Sequence, residues 1–198
     1  MTKIYNTQDY YNQNAKEYYD SRKDIIVKNQ LDFFLKHTNP DELILDLGCG
    51  SGNNLFEMKK RGYSVIGADF SKKLIDIIYD KHNEKIYYLD FRDIEVVNQF
   101  IAEHKVKHLF CSASLLHLSK TDFKGFLQNL KLTGLFFFSL KEGAGEEIDA
   151  HKRLFSYYQL YEIKEIIKND YIIIDFQVLD DSMGRDKRWM NLIILKDQ

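Results

Sequence analysis

The segment Leu43–Asn54, LILDLGCGSGNN, constrains the fold of this chain more than any other. A short apolar run, Leu43, Ile44 and Leu45, ends in an acid, Asp46. Glycines then stand at alternate positions, Gly48, Gly50 and Gly52, and a helix-compatible stretch opens at Asn53. Strand, glycine turn and helix in that order begin a nucleotide-type βα unit. Glycine is required where the backbone turns sharply and where a ligand comes so close that a Cβ would collide. The start of the following helix offers unpaired N–H groups to an anionic group. A second apolar run, Ser64–Ala68, ends in Asp69, about twenty residues on, the offset at which an acid accepts ribose hydroxyls.

The alternation continues along the chain. Strands are predicted at 43–47, 64–68, 86–89, 107–112 and 134–140, with helices over 53–61, 71–82, 93–103 and 121–131 between and after them. The run GLFFFSL at 134–140 is almost wholly apolar, as in a strand buried on both faces of a parallel sheet. Right-handed crossovers make such a series a doubly wound α/β sheet. Two helices, 9–20 and 24–37, precede it, and in the second Ile25, Ile26, Leu31, Phe34 and Leu35 share an apolar face. Asn39-Pro40 then breaks the chain. Past Leu140 a polar loop with Gly143 and Gly145 leads to a helix near 157–168 and to strands near 171–179 and 188–195, read as an antiparallel pair.

Composition narrows the class of partner. With 28 basic and 30 acidic residues the net charge is −2, which argues against strong attraction to a nucleic-acid backbone. No apolar run is long enough to span a membrane, and the N-terminus has no apolar signal stretch. Two cysteines, Cys49 and Cys111, make no disulfide framework and suit a reducing, cytoplasmic setting. The six histidines lack ligand spacing, so no metal site is expected. These features point to a small-molecule substrate, handled by a monomer or a homodimer, with no nucleic acid and no membrane.

The G-x-G-x-G spacing followed by Asp69 resembles the opening motifs of the class I S-adenosylmethionine-dependent methyltransferases. Tail segments SLKEGAGEE, RLFSYY and GRDKRWMN resemble those of a set of small bacterial members, so the likeness runs from about Tyr11 to Asn191. It implies a Rossmann-like doubly wound seven-stranded sheet with an antiparallel last strand. It also implies a single domain over 1–198, with helices about 9–37 as a lid, and S-adenosyl-L-methionine as cofactor. N–H groups around Gly48, Cys49 and Gly50 would take the methionine carboxylate and Asp46 the ammonium. Asn53 would be a helix cap, a ligand contact or both. Asp69 would take the ribose and Phe70 cover the adenine, while Ser71 is a lip residue or a helix cap. Asp90 would accept the adenine amino group, with Phe91 facing N1, and Asp93 competes as ligand or cap. Ser112 and Ala113 leave room beside the sulfonium. Tyr11, Tyr18 and Arg22 occupy the places of a cofactor lid, against the alternative of a packing helix.

Methyl transfer from a sulfonium is an in-line displacement in which the protein aligns the acceptor and removes its proton. His117, in SLLHLS, is the candidate base, or a residue that orients its loop. Lys141, Arg153 and Arg188 are candidates to bind a carboxylate or phosphate, with Tyr157, Tyr158 and Trp189 as walls. Glu142, Glu146, Arg185 and Asn191 are further polar candidates. The expected activity is methylation of O or N on a small anionic metabolite. The alternatives are a nucleic-acid or protein methyltransferase, or a non-catalytic S-adenosylmethionine-binding module.

Overall fold

A computed structural model describes residues 6–181, 184 and 186–197; Arg185 lies outside them. The single helix expected over 9–20 is two, α1 (Thr7–Gln13) and α2 (Ala15–Arg22), joined at Asn14. The Asn14 amide donates to the Tyr10 carbonyl at 2.9 Å, taking a helix acceptor with a side chain. Helix α3 is shorter than expected, Lys28–Leu35, because Ile25–Val27 form a loop ahead of it. Asn53 holds that loop, donating to the carbonyls of Arg22 and Ile25.

Strands β1 (Ile44–Leu47), β2 (Val65–Asp69), β3 (Ile86–Tyr88), β4 (His108–Cys111) and β5 (Leu135–Lys141) alternate with helices α4 (Asn53–Lys60), α5 (Lys72–His82), α6 (Ile94–His104) and α7 (Lys120–Asn129). A β6–β7 hairpin (Glu146–Ile148, Leu154–Ser156), helix α8 (Leu160–Ile167) and strands β8 (Tyr171–Asp180) and β9 (Arg188–Lys196) complete the chain. The main sheet is seven-stranded, in the order β3-β2-β1-β4-β5-β9-β8. Strands β1 to β5 pair in parallel, and β9 lies antiparallel between β5 and β8. The hairpin falls inside the segment read as a polar loop. Its strands have only three residues each, too few for a period-2 pattern to stand out.

Alternation along the strands fills two apolar layers. Leu45, Leu47, Phe136 and Phe138 pack with Val97, Ile101, Phe123 and Ile163 on one face, and Ile44, Phe110, Phe137 and Ile193 pack with Leu31, Phe34, Leu55 and Leu74 on the other. With β1 and β4 adjacent, the chain leaves in opposite directions at their carboxyl ends, the crevice where open α/β sheets bind ligands.

The glycine turn lines that crevice. Gly48, Gly50 and Gly52 all have positive φ, and a Cβ on Gly48 would lie 2.5 Å from the Ser114 Cβ. Gly48→Ala is therefore expected to lower the unfolding free energy by about 2–4 kcal/mol in denaturant titration. Gly125→Ala, in open space on α7, is expected to raise it by about 0.5–1 kcal/mol.

Candidate functional site

Two cavities meet at the carboxyl ends of the central strands. The smaller, about 140 Å³, is walled by the glycine turn with Asp46, Asn53, Asp69, Phe70 and Phe91. The larger, about 620 Å³, is walled by Ile25–Gln30, Leu116, Lys141, Arg153, Phe155, Leu179, Asp180, Asp181 and Trp189. Tyr11, Tyr18, Arg22, Ile25, Ser112, Ala113 and His117 line both and form the passage between them.

Local chemistry explains the smaller cavity. The Asp69 carboxylate accepts the Gly50 N–H at 2.9 Å and the Ser71 N–H at 2.8 Å, which ties the β1 turn to the end of β2. Burial raises its pKa to about 6 against these hydrogen bonds. Asp46 is 2% exposed, and its Oδ2 has no hydrogen-bond partner. Burial first, and the Asp69 charge second, push its pKa up to about 8. An orphaned buried oxygen on a cavity wall is the group that a ligand donor satisfies. Phe70 stacks on Phe91 with centroids 5.6 Å apart, and Tyr11 stands 6.0 Å from Phe70.

The passage is held by hydrogen bonds. His117 Nδ1 lies 2.6 Å from the Leu154 carbonyl and Nε2 2.9 Å from the Tyr11 hydroxyl. A carbonyl only accepts, so Nδ1 carries the proton and Nε2 accepts from Tyr11. Burial lowers the His117 pKa to about 4. Ala113 adopts φ +54, which costs a non-glycine residue about 1 kcal/mol, and its N–H donates to Ser139 Oγ at 2.7 Å. Helix α1 crosses above: Gln8 donates to the Phe70 carbonyl, Ser71 Oγ to Asn12, and the Leu154 N–H to Thr7 Oγ1.

Some expected residues are placed elsewhere. Tyr158 is wholly buried against Phe123 and lines neither cavity; its backbone N–H donates to the Lys141 carbonyl at the end of β5. Arg188 lies at the surface, paired with Glu142 at 3.2 Å, so it is not part of the cationic group. Tyr157 touches neither cavity and donates to Glu147 at 2.9 Å. Asp90 also lies outside both linings, held by Arg92 through a two-pronged ion pair. Ser71 caps α5, accepting from the Leu74 N–H, and Asp93 caps α6. The α4 cap is Gly52, so Asn53 is not a cap but the first helical residue, gripping the loop before α3. Lys141, Arg153 and Trp189 do converge on the larger cavity. The Lys141 ammonium stands 4.1 Å from the Phe155 ring and 5.8 Å from that of Trp189, whose Nε1 donates to Asp181 at 2.8 Å. Phe155, Asp181, Ile25 and Ile26 were not singled out in sequence. The hydrophobic pattern assigns both isoleucines to a helix; Phe155 falls within RLFSYY, where its basic and tyrosine neighbours draw the reading, and none of the tail motifs contains Asp181.

Comparison with known proteins fits this geometry. Residues 44–132 match a family model described as a methyltransferase domain. An S-adenosylmethionine-dependent methyltransferase from Anabaena variabilis superposes with a TM-score of 0.77 over 100% of this chain and 98% of that one, at 16% identity. The chain has the fold of the class I S-adenosylmethionine-dependent methyltransferases, and residues 44–132 within it resemble a methyltransferase domain. The 1,6-didemethyltoxoflavin-N1-methyltransferase of Burkholderia thailandensis, solved with 1,6-didemethyltoxoflavin and S-adenosylhomocysteine, superposes with a TM-score of 0.74, at 14% identity, over 98% of this chain and 92% of that one. A 61-residue stretch is 41% identical to a probable cobalt-precorrin-6B C(15)-methyltransferase (decarboxylating) of Methanococcus vannielii, covering 28% of this chain. The match spans 34% of the length of that curated relative.

Solved neighbours of this fold hold S-adenosylhomocysteine or S-adenosylmethionine, and the smaller cavity of this chain has features that fit such a molecule. The unpartnered Asp46 oxygen suits an ammonium, and the turn has no room at Gly48 for a side chain. No helix among the described residues is long and apolar enough to cross a membrane, and they hold no cluster of metal-binding side chains.

Two pH-dependent outcomes follow from the shifted groups. Asp46, with its pKa near 8, holds its proton at pH 7, and an ammonium beside it favours the carboxylate. Calorimetry of S-adenosylhomocysteine binding in buffers of different ionisation enthalpy is expected to show release of up to about one proton per site. Asp46→Asn is expected to abolish that release and weaken binding. His117 falls from 6.5 to about 4 on folding, so the folded chain binds fewer protons than the unfolded one across that window. Its contribution to stability, complete above pH 6.5, is lost as pH falls toward 4. Unfolding free energies of wild type and His117→Gln should therefore show wild type losing ground to the variant between those pH values.

Proposed function

We propose that the protein transfers the methyl group of S-adenosylmethionine to an oxygen or nitrogen of a small anionic molecule seated in the larger cavity. One observation carries the reading: a cavity with the features of the cofactor site opens, through a passage lined by Tyr11 and His117, into a second one of small-molecule size. The walls of that second cavity carry Arg22, Lys28 and Lys141 against Asp180 and Asp181, with Arg153 already paired to Asp149, a balance that favours an anion.

In this reading Asp46 holds the cofactor's ammonium and the N–H groups of the turn its carboxylate. Asp69 takes the ribose, using carboxylate lone pairs left over from Gly50 and Ser71. Phe70 and Phe91 flank the adenine, and helices α1 and α2 form the lid. The bound cofactor supplies an electrophilic methyl on a positively charged sulfur. Tyr11 and His117 handle the acceptor's proton. The single lone pair of His117, at Nε2, is taken by the Tyr11 hydroxyl. The acceptor proton therefore passes to Tyr11 Oη as the phenol proton passes to Nε2. Burial keeps the His117 imidazole neutral at physiological pH, with Nε2 unprotonated. Lys141 orients the anionic end of the acceptor, with Trp189 and Phe155 as apolar walls.

Incubation with methyl-labelled S-adenosylmethionine and a deproteinised metabolite extract tests the reading. Label should appear in a small, anion-exchange-retained product, and Tyr11→Phe should slow its formation by about 10²-fold or more. Label confined to protein or RNA supplied in parallel would overturn the substrate class.

A further inference from the structure

The β6–β7 hairpin supplies three consecutive residues to the passage. The Arg153 guanidinium faces the Tyr11 phenol and its positive charge favours the phenolate against burial. The Leu154 carbonyl takes the His117 Nδ1 proton at 2.6 Å. The Phe155 ring lies 4.8 Å from the His117 ring. Both members of the Tyr11–His117 pair are thus held from one short strand.

The hairpin tip is itself locked around Asp149. Its Oδ1 accepts the N–H groups of His151 and Arg153, each at 2.9 Å. Its Oδ2 accepts Arg153 Nε at 2.9 Å and Nη2 at 2.7 Å. The guanidinium also stacks over the Tyr10 ring at 4.2 Å. The Arg153 guanidinium is therefore engaged by the protein: one edge on Asp149, with the Tyr10 and Phe155 rings packed against it, which leaves it held beside Tyr11.

We infer that Arg153 and Asp149 are positioning residues for the proton path. The hairpin tip holds the Tyr11 phenol and, through the adjoining Leu154 carbonyl, the His117 ring in the arrangement that leaves Nε2 as the acceptor. This deepens the methyl-transfer reading and rests on it for its chemical meaning. It also reassigns Arg153 from binding the substrate anion to aiming the group that meets the acceptor. The charged and titratable groups facing the pair are Tyr18 of α2, Asp69 of β2, Lys141 of β5, and Asp149 and Arg153 of the hairpin.

Side-chain 15N NMR of the histidine-labelled full chain reads the arrangement without any acceptor. His117→Gln assigns the His117 signals. Wild type should show protonated Nδ1 and bare Nε2 between pH 6 and 8, limits chosen about the ordinary histidine range. Arg153→Gln and Asp149→Asn should both lose that uniform signature, with the Nε2-protonated tautomer appearing. Arg153→Lys should not restore it, because an ammonium cannot reproduce the fork. Retention of the wild-type signature in Arg153→Gln and Asp149→Asn, or full rescue by lysine, would overturn the inference. Asp149→Asn, which preserves shape, decides the matter if Arg153→Gln does not fold. Calorimetry with S-adenosylhomocysteine on the same samples keeps the two readings apart. Failure to bind it would remove the methyl-transfer reading, while the ring signature would still decide the role of the hairpin.

Discussion

The carboxylate of Asp69 is the constraint on which the site depends. It draws the Gly50 N–H on one side and the Ser71 N–H on the other, joining the turn after β1 to the turn after β2. The chain can follow that path only because Gly48, Gly50 and Gly52 adopt positive φ. Ser114, arriving from β4, packs against Gly48 and donates to the Leu47 carbonyl at 3.0 Å. Three strand ends are thereby stitched into one rim, which leaves Asp46 beneath it with an unsatisfied oxygen. Burial first, and the Asp69 charge second, raise the cost of ionising Asp46, so the smaller cavity is suited to receive positive charge.

The second cavity is assembled from parts remote in sequence. Its near wall is the loop before α3, held by the Asn53 amide on the carbonyls of Arg22 and Ile25. Its far wall is Lys141, Trp189 and Leu179, neighbours across β5, β9 and β8 in the register of the sheet. Helix α1 spans the two cavities, tied to the Phe70–Ser71 rim at one side and, through its own Thr7, to Leu154 at the other. Tyr11 projects from that helix to His117, so the helix that crosses both cavities also supplies one half of the Tyr11–His117 pair in the passage between them.

Much of the frame was legible in the chain. The G-x-G-x-G turn, the acid at Asp69 and the apolar strand runs encode local backbone requirements, and each appears where its chemistry demands. The long, strongly periodic elements came within a residue or two of their observed ends. The misreadings share a physical cause. Two helices, α1 and α2, read as one over 9–20 because the break comes from a side chain, that of Asn14, which competes for a backbone acceptor. Ile25 and Ile26 fit a helical stripe but were drawn into a loop by Asn53, a residue distant in sequence. The hairpin strands were too short to carry a period.

Substrate-side residues show the boundary most plainly. A cluster of Arg, Lys and aromatic residues in the tail was visible from composition and order. Which of them face the cavity was settled by strand register and by competing partners. Tyr158 points into the core, Arg188 is taken by Glu142, and Asp90 by Arg92. The sequence by itself determined the sheet, the glycine turn and the acids at its rim, because those follow from φ angles, apolar periodicity and helix caps within a few residues. Only the tertiary structure decided the Tyr11–His117 pair, the hairpin that holds it and the orphaned oxygen of Asp46. Each of those depends on groups tens of residues apart meeting where water is excluded, and that arrangement is a property of the packed fold.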